Sequence, residues 1–473
     1  MRSAAPFYGW KLLAALWGVL FVNLAFPTYG LSVLDPYMVA DLHLDRALLG
    51  LTYAVYMAMT GIPAPLAAVL IGRVGIRGTL VAGNLLLVAG SVAMATLVAS
   101  PLSIVLVAGA VVGTSDAIGG PVAAQASVAR WFVRRRSFAL AILLSGGSVG
   151  GFIAAPLLDR VVASSAIGWR AGWWVIAALA LLACALAWAF VKERPQDAGE
   201  WPDGAAAAPR DEPRGERPNA SWQVHVTGEE WSPAQALRSP TFWLLMTAAL
   251  GFSSALTLFL AQGVAHLEDL HHSPASAALA LSVSVMCGLI ANLGVGLLGD
   301  RVDPRWLWIA CSALDAVGLA VLRGARSDAA MFGAAALLGV AGNGCMVCMV
   351  TLLANYYGAR AYAAVCAVTS AIQSTLGAVA PVVAGYWYDL HGSYGPVFVV
   401  VAAWCAAASV LLAAISPPAI RPGPAHAARR PQPSVPHAGT AIERAARAQR
   451  LLLRRLRCGS APPPAESSVP AMS

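Results

Sequence analysis

The sequence predicts an all-α, polytopic membrane protein with twelve transmembrane helices in two pseudo-symmetric six-helix halves. Three observations lead there. Of 473 residues, 58% are apolar and only 11% are Asp, Glu, Lys or Arg, too little charge to coat a water-soluble surface. Apolar stretches of about 20 residues, long enough to cross a bilayer, recur along the chain. A polar segment then divides them six and six.

In order, the stretches lie at 10–34, 47–70, 79–99, 102–128, 138–161, 170–191, 241–264, 275–298, 306–323, 329–354, 361–386 and 395–415. Each must be helical, because backbone groups in lipid have no water to bond. The chain is thus organised as an N-terminal half (1–191), a linker rich in Pro, Gly, Ala and charge (192–240), a C-terminal half (241–415) and a basic Pro/Arg-rich tail (416–473). The apolar run after Lys11 is too long for a signal peptide and lacks a small-residue cleavage site.

Lys and Arg set the orientation. With a cytoplasmic N-terminus, only Arg46, Arg160, Arg170, Arg323 and Arg326 fall outside, and seventeen others up to residue 415 fall inside. The expectation is a multi-pass protein of the plasma (inner) membrane with both termini cytoplasmic. Most of the +8 net charge belongs to the tail, where nine Arg face Glu443 and Glu466. That excess therefore marks the loops and tail of a membrane protein rather than nucleic-acid binding. Ala438–Arg457 reads either as a basic amphipathic helix lying on anionic lipid or as a disordered tail. The eight cysteines show no disulfide-like array, and Cys345 and Cys348 form a CxxC inside an apolar helix. No metal and no cofactor are expected.

The halves repeat. An offset of 228 places Gly72, Arg73 and Arg77 over Asp300, Arg301 and Arg305, and an offset of 225 places Trp131-Phe132 over Tyr356-Tyr357 and Pro156 over Pro381. Parallel repeats of this kind hold a central site at their interface.

Polar groups inside the membrane carry the functional signal, since each is costly without a partner or water. Asp116 lies midway along span four and Asp315 midway along span nine, neither with a basic residue within a turn. Asp116 reads as a proton-coupling or substrate-binding carboxylate, with a helix tie capped by Thr114 and Ser115 as the bland alternative. Asp315 falls on a span usually peripheral. Asn23, Tyr53, Tyr56, Gln262, Asn292, Asn343 and Gln373 are further candidates for binding a small polar solute, although Asn and Gln also bridge helices in lipid. Gly146, Gly147, Gly150 and Gly151, followed by Pro156, form small-xxx-small pairs that predict a close-packed, bendable span five at the seam. Arg73, Arg77, Asp300, Arg301 and Arg305 sit at the cytoplasmic mouth and could latch the halves, or serve only as positive-inside anchors. His266, Glu268, Asp269, His271 and His272 read as a solvated outer loop, with a metal site as the rarer reading.

These residues resemble the major facilitator superfamily over roughly 8–415: twelve spans split six and six, Gly296…Asp300-Arg301, and Trp131-Phe132-Val133-Arg134-Arg135-Arg136 before span five. Within it the chain resembles the monocarboxylate transporter and oxalate:formate antiporter branch. Tyr8-Gly9-Trp10, Tyr29-Gly30-Leu31, Arg73-Val74-Gly75-Ile76-Arg77, Ser239-Pro240-Thr241-Phe242-Trp243 and Gly392-Ser393-Tyr394-Gly395 carry that likeness. The resemblance implies alternating access around a cavity lined by spans one, four, seven and ten. Gly72 replaces the acid common in the superfamily's first such loop. Asn292 stands where branch members that bind carboxylates typically use a cation in span eight, and 363–385 contains no Lys or Arg.

The expected function is secondary active transport of a small organic solute, neutral or zwitterionic rather than a carboxylate, with Asp116 carrying a coupled proton. The sequence does not distinguish uniport, symport and antiport. Transport of a monocarboxylate or dicarboxylate anion is the alternative, and a transporter-like sensor signalling through the basic tail is the rival from another class. No GxxxxGK[ST] phosphate loop occurs, and no enzyme is expected. The partners are the solute, protons and the lipid bilayer, with no obligatory protein partner.

Overall fold

A proline behind a capping residue starts many of the spans. Ser100-Pro101, Ser273-Pro274 and Asp303-Pro304 each present a side-chain oxygen to the free N–H groups of the first turn, and Pro fills a position whose N–H would be unpaired anyway. The computed structural model describes residues 7–42, 46–205, 224–377 and 379–419. Ten helices there are long and apolar enough to cross a membrane, and two internal turns resolve them into twelve spans. Ala64–Thr96 reverses at Gly75 (φ 79°, ψ 175°) and Asp328–Gly377 at Gly358 (φ 68°, ψ 170°). Both dihedrals belong to glycine, which has no Cβ to clash at positive φ.

Span one is Tyr8–Leu42, span two 46–74 with a break before Ala64, and span three 76–96. Span four is Pro101–Trp131, span five Arg136–Ser164 and span six Trp169–Phe190. The second half follows as Pro240–Asp269, Pro274–Gly299, Pro304–Arg323, 328–357, 359–391 and Gly395–Ala414. Span one runs eight residues past its expected end, through Asp35 and Pro36. Its last turn is held by Asp41, which accepts from Trp169 Nε1 (2.9 Å) and Arg170 Nη1 (3.1 Å) at the head of span six.

Each half has its own apolar core, centred on Phe26, Tyr56 and Trp173 in the first and on Phe259, Leu319 and Phe398 in the second. Large apolar side chains such as Leu181, Ile290 and Val410 stand outward, as a lipid-facing surface requires. The linker is not free along its described length. Asp203 accepts from Val133 and Arg134 N–H, and Glu200 accepts from Tyr8 N–H on the first half. On the second half, Thr227 N–H donates to Asn355 carbonyl (2.8 Å) and Glu230 pairs with Arg360 (3.0 Å). These contacts define a linker face, where both halves meet the chain's polar turns. Residues 206–223, the 438–457 segment and Cys458 lie outside the described residues.

Candidate functional site

Two departures from regular helix shape the centre of the first half. Phe21–Ala25 is a π-turn that contains Asn23, and Val105–Val112 is another that runs into Gly113–Gly119. Such wide turns recur at functional sites. Span four then breaks at Gly120 (φ −105°, ψ −132°) before restarting at Pro121. Asp116 sits one turn before this break and is 5% exposed.

Asp116 lines a cavity of about 130 Å³ between the halves, with Gln125 of span four, Thr60 of span two, Met346, Met349 and Val350 of span ten, and Cys366, Thr369, Ser370 and Ser374 of span eleven. No Lys, Arg or His is among the lining residues. Asp116 Oδ1 is buried without a hydrogen-bond partner, as are Asn23 Oδ1 and Asn292 Oδ1.

Of the sequence candidates for binding, Asp116 lines this cavity, and the others are not among its lining residues. Asn23 is fully buried and donates to Asn84 Oδ1 at 3.3 Å. Tyr56 shares a hydrogen bond with Thr28 Oγ1 at 2.9 Å, and Tyr53 stands half-exposed beside it. Gln262 donates to Pro381 carbonyl, Gln373 to Ala249 carbonyl and Asn343 to Gly339 carbonyl on its own helix. Asn292 is buried in span eight. Asp315 lies deep in the second half, 3.8 Å from Cys345 Sγ. Asn84, Gln125 and the hydroxyls of spans two and eleven were not singled out by sequence. Asn84 and Gln125 carried the same mid-span polarity that marked Asp116.

His266, Glu268 and Asp269 lie within span seven, with His271 and His272 just beyond it, so this segment is not a uniformly solvated loop. His266 is buried with Nε2 3.1 Å from Leu322 carbonyl, and His272 Nε2 lies 2.7 Å from Ala325 carbonyl while the ring pairs with Asp328. Among the described residues no group of three or more His, Cys, Asp or Glu could hold a metal ion.

Span five's glycines face span one rather than the seam. A methyl on Gly146 would lie 2.9 Å from Trp17 carbonyl, and one on Gly150 2.7 Å from Phe21 carbonyl. Pro156 is carried within a continuous helix. Span five meets the other half at its head instead, where Gly296 and Gly299 of span eight press on Ala141 and Ser137.

Hydrogen bonds that join the halves lie between the cavity and the linker face. Ser137 and Phe138 N–H donate to Asp300 (2.9 and 3.4 Å), Arg136 Nη1 donates to Asn355 Oδ1 (2.7 Å), and Tyr362 hydroxyl donates to Gln125 Oε1 (3.4 Å). Burial raises the Asp300 pKa to about 6, against the pull of those two backbone donors. The other candidate latch residues stay within their own halves or in solvent. Arg77 donates to Val191 carbonyl, Arg305 to Ile415 carbonyl, and Arg73 and Arg301 are exposed.

A family model described as Major Facilitator Superfamily matches residues 15–268 and 257–460. Monocarboxylate transporter 13 of Rattus norvegicus is 24% identical over 422 residues, covering 87% of this chain and 90% of that protein. Monocarboxylate transporter 12 of the same species is 24% identical over 363 residues, 73% of each chain. The crystal structure of a Major Facilitator Superfamily transporter, FucP, in the outward conformation shares the fold with a TM-score of 0.63 at 14% identity, covering 85% of this chain and 97% of its own. Two helical halves around a central cavity, matched by the family over most of their length, settle the assignment. The chain belongs to the Major Facilitator Superfamily: it is a multi-pass membrane transporter resembling the monocarboxylate transporters, and not an enzyme.

Proposed function

We propose that this protein is a secondary active transporter that moves a small organic solute by alternating access, with Asp116 loading and releasing a coupled proton. One observation carries the reading: a buried carboxylate with an unpartnered oxygen lines the cavity between the halves, and no cation shares that cavity. A carboxylate held in such surroundings is costly unless it binds a proton or a cation. The closed linker face is the cytoplasmic one, because Lys and Arg concentrate there. Residues 1–191 and 241–415 act as the two rocking bodies, and the contacts of Asp300 and Arg136 break when the cytoplasmic side opens.

A neutral or zwitterionic solute fits this lining best, because a bare organic anion would find no positive charge to replace its hydration. The second reading, a monocarboxylate, is favoured by the names of the relatives at 24% identity. A thermal-shift screen of purified protein against sugars, amino acids and organic acids finds candidate ligands, since binding to the native state raises apparent stability. Uptake of each hit into proteoliposomes under an imposed pH gradient then tests coupling. Uptake that ignores the gradient for every hit would remove the proton from the mechanism. Deleting residues 420–473 should leave uptake intact, whereas a sensor signalling through its tail would lose its output.

A further inference from the structure

The amide of Asn23 is oriented by its neighbours. Asn84 Nδ2 donates to Leu80 carbonyl at 2.8 Å and to Gly119 carbonyl at 3.3 Å. Turning that amide over would set an oxygen against two carbonyl oxygens, so Asn84 Oδ1 must be the end left to accept. It accepts from Asn23 Nδ2. Asn23 Oδ1 is thereby fixed as an acceptor facing away from Asn84, and it has no donor.

Asp116 can supply the missing donor. A methyl on Gly120 would lie 2.7 Å from Asn23 Oδ1 and 2.8 Å from Asp116 Oδ1, so both unpartnered oxygens converge on the face that Gly120 leaves bare. Two acceptors repel when the carboxyl is ionised and bond when it carries a proton. The close crossing of Gly83 on Gly119 brings Asn84 to this point, and the π-turn at Phe21–Ala25 brings Asn23.

We infer that Asn23 and Asp116 together form the binding site for the transported proton, the loaded Asp116 carboxyl donating its O–H to Asn23 Oδ1 across Gly120. Loading moves a proton from cavity water to the carboxylate, and release returns it; no other bond changes. Asn23 is a positioning residue in this scheme. The titratable groups facing Asp116 from the packed elements are Tyr56 of span two, bonded to Thr28, and Cys366 of span eleven. At this depth span one offers Asn23, span three Asn84 and span ten its methionines, all uncharged. The inference rests on the proton-coupling reading of Asp116.

Infrared difference spectroscopy of the full chain in lipid, titrated with the proton itself, tests the pair without a known solute. The wild type should show a carboxylic-acid C=O band that Asp116→Asn removes. Absence of any such band would end the coupling reading itself. With the band present, Asn23→Leu should move it to higher frequency and lower its pH midpoint by about one unit, a tenfold loss of proton affinity for one lost hydrogen bond. An unchanged band and midpoint in Asn23→Leu would overturn the inference and leave the coupling reading standing. If that variant does not fold, Asn84→Leu frees the Asn23 amide to turn and should give the same shifts. Replacing choline with sodium at constant ionic strength should leave the band intact; its loss would show that the two oxygens hold a metal cation and overturn the proposal.

Discussion

Arg136, at the head of span five, donates from Nη1 to Asn355 Oδ1 near the end of span ten, joining the two halves through a buried guanidinium. The same side chain donates to Phe132 and Ala129 carbonyls, so it is held on its own side and reaches across with one bond. A hydrogen bond to a charged group contributes about 1.5–3 kcal/mol. Asn355→Ala should therefore shift the halves toward opening on the linker face by roughly tenfold to a hundredfold. The readout is alkylation of Cys366, a buried cavity residue, in a chain whose other cysteines are replaced. A rate unchanged from the parent would show that this bond does not hold the face shut.

Asp300 should make closure of the linker face sensitive to pH. Its pKa is raised to about 6, first by burial, whereas a solvated aspartate titrates near 3.9. The closed face thus binds a proton more tightly than an open one would. Lowering pH from about 6 toward about 4 should favour closure, and ionisation above 6 should weigh against it. Cys366 alkylation measured between pH 4 and 7, corrected for thiolate fraction, should slow as pH falls. Asp300→Ala should flatten that profile; a profile that keeps its slope would assign the effect to another group.

Gly120→Ala places a methyl against the Asp116 carbonyl and both unpartnered oxygens. Overpacking of this kind costs about 1–3 kcal/mol. Thermal unfolding should shift down by that amount, and solute uptake should fall because Asp116 and Asn23 are pushed apart. Full uptake in this variant would show that the bare face of Gly120 has no part in loading.

The architecture was legible because lipid imposes one rule on every span, and apolar length with Lys and Arg asymmetry reports it directly. Asp116 was legible for the same reason: a lone carboxylate in an apolar helix is conspicuous. Thr60, Ser370, Ser374 and Met349 were not, because in sequence a cavity wall of small hydroxyls and methionines looks like helix packing. Arg136 could not be told from Arg134 and Arg135, since its burial depends on Asn355, 219 residues away. The turns at Gly75 and Gly358 fall in gaps between apolar stretches, beside Arg73, Arg77 and Arg360, so their place was legible although their one-residue geometry was not. Span five's glycine spacing signals close packing without naming the partner, which is span one.

Asn292→Arg tests the substrate class. Asn292 is buried with an unpartnered oxygen, and a guanidinium placed there should draw an organic anion as its counter-ion. The unliganded variant should be destabilised by about 3–5 kcal/mol, as for a buried charge without its partner. Lactate or oxalate should recover about 2.7 kcal/mol at a hundredfold excess over Kd, seen as a thermal shift missing in the parent. A lactate shift of equal size in the parent would instead favour a monocarboxylate as the natural solute.

Asp116→Asn tests most directly whether this carboxylate couples a proton to solute movement. Net uptake of the strongest thermal-shift ligand into proteoliposomes, driven by an imposed pH gradient, should disappear in Asp116→Asn while the purified variant unfolds at the parent's temperature and still exchanges labelled for unlabelled solute. Gradient-driven accumulation equal to the parent's, with the same dependence on pH, would contradict the account.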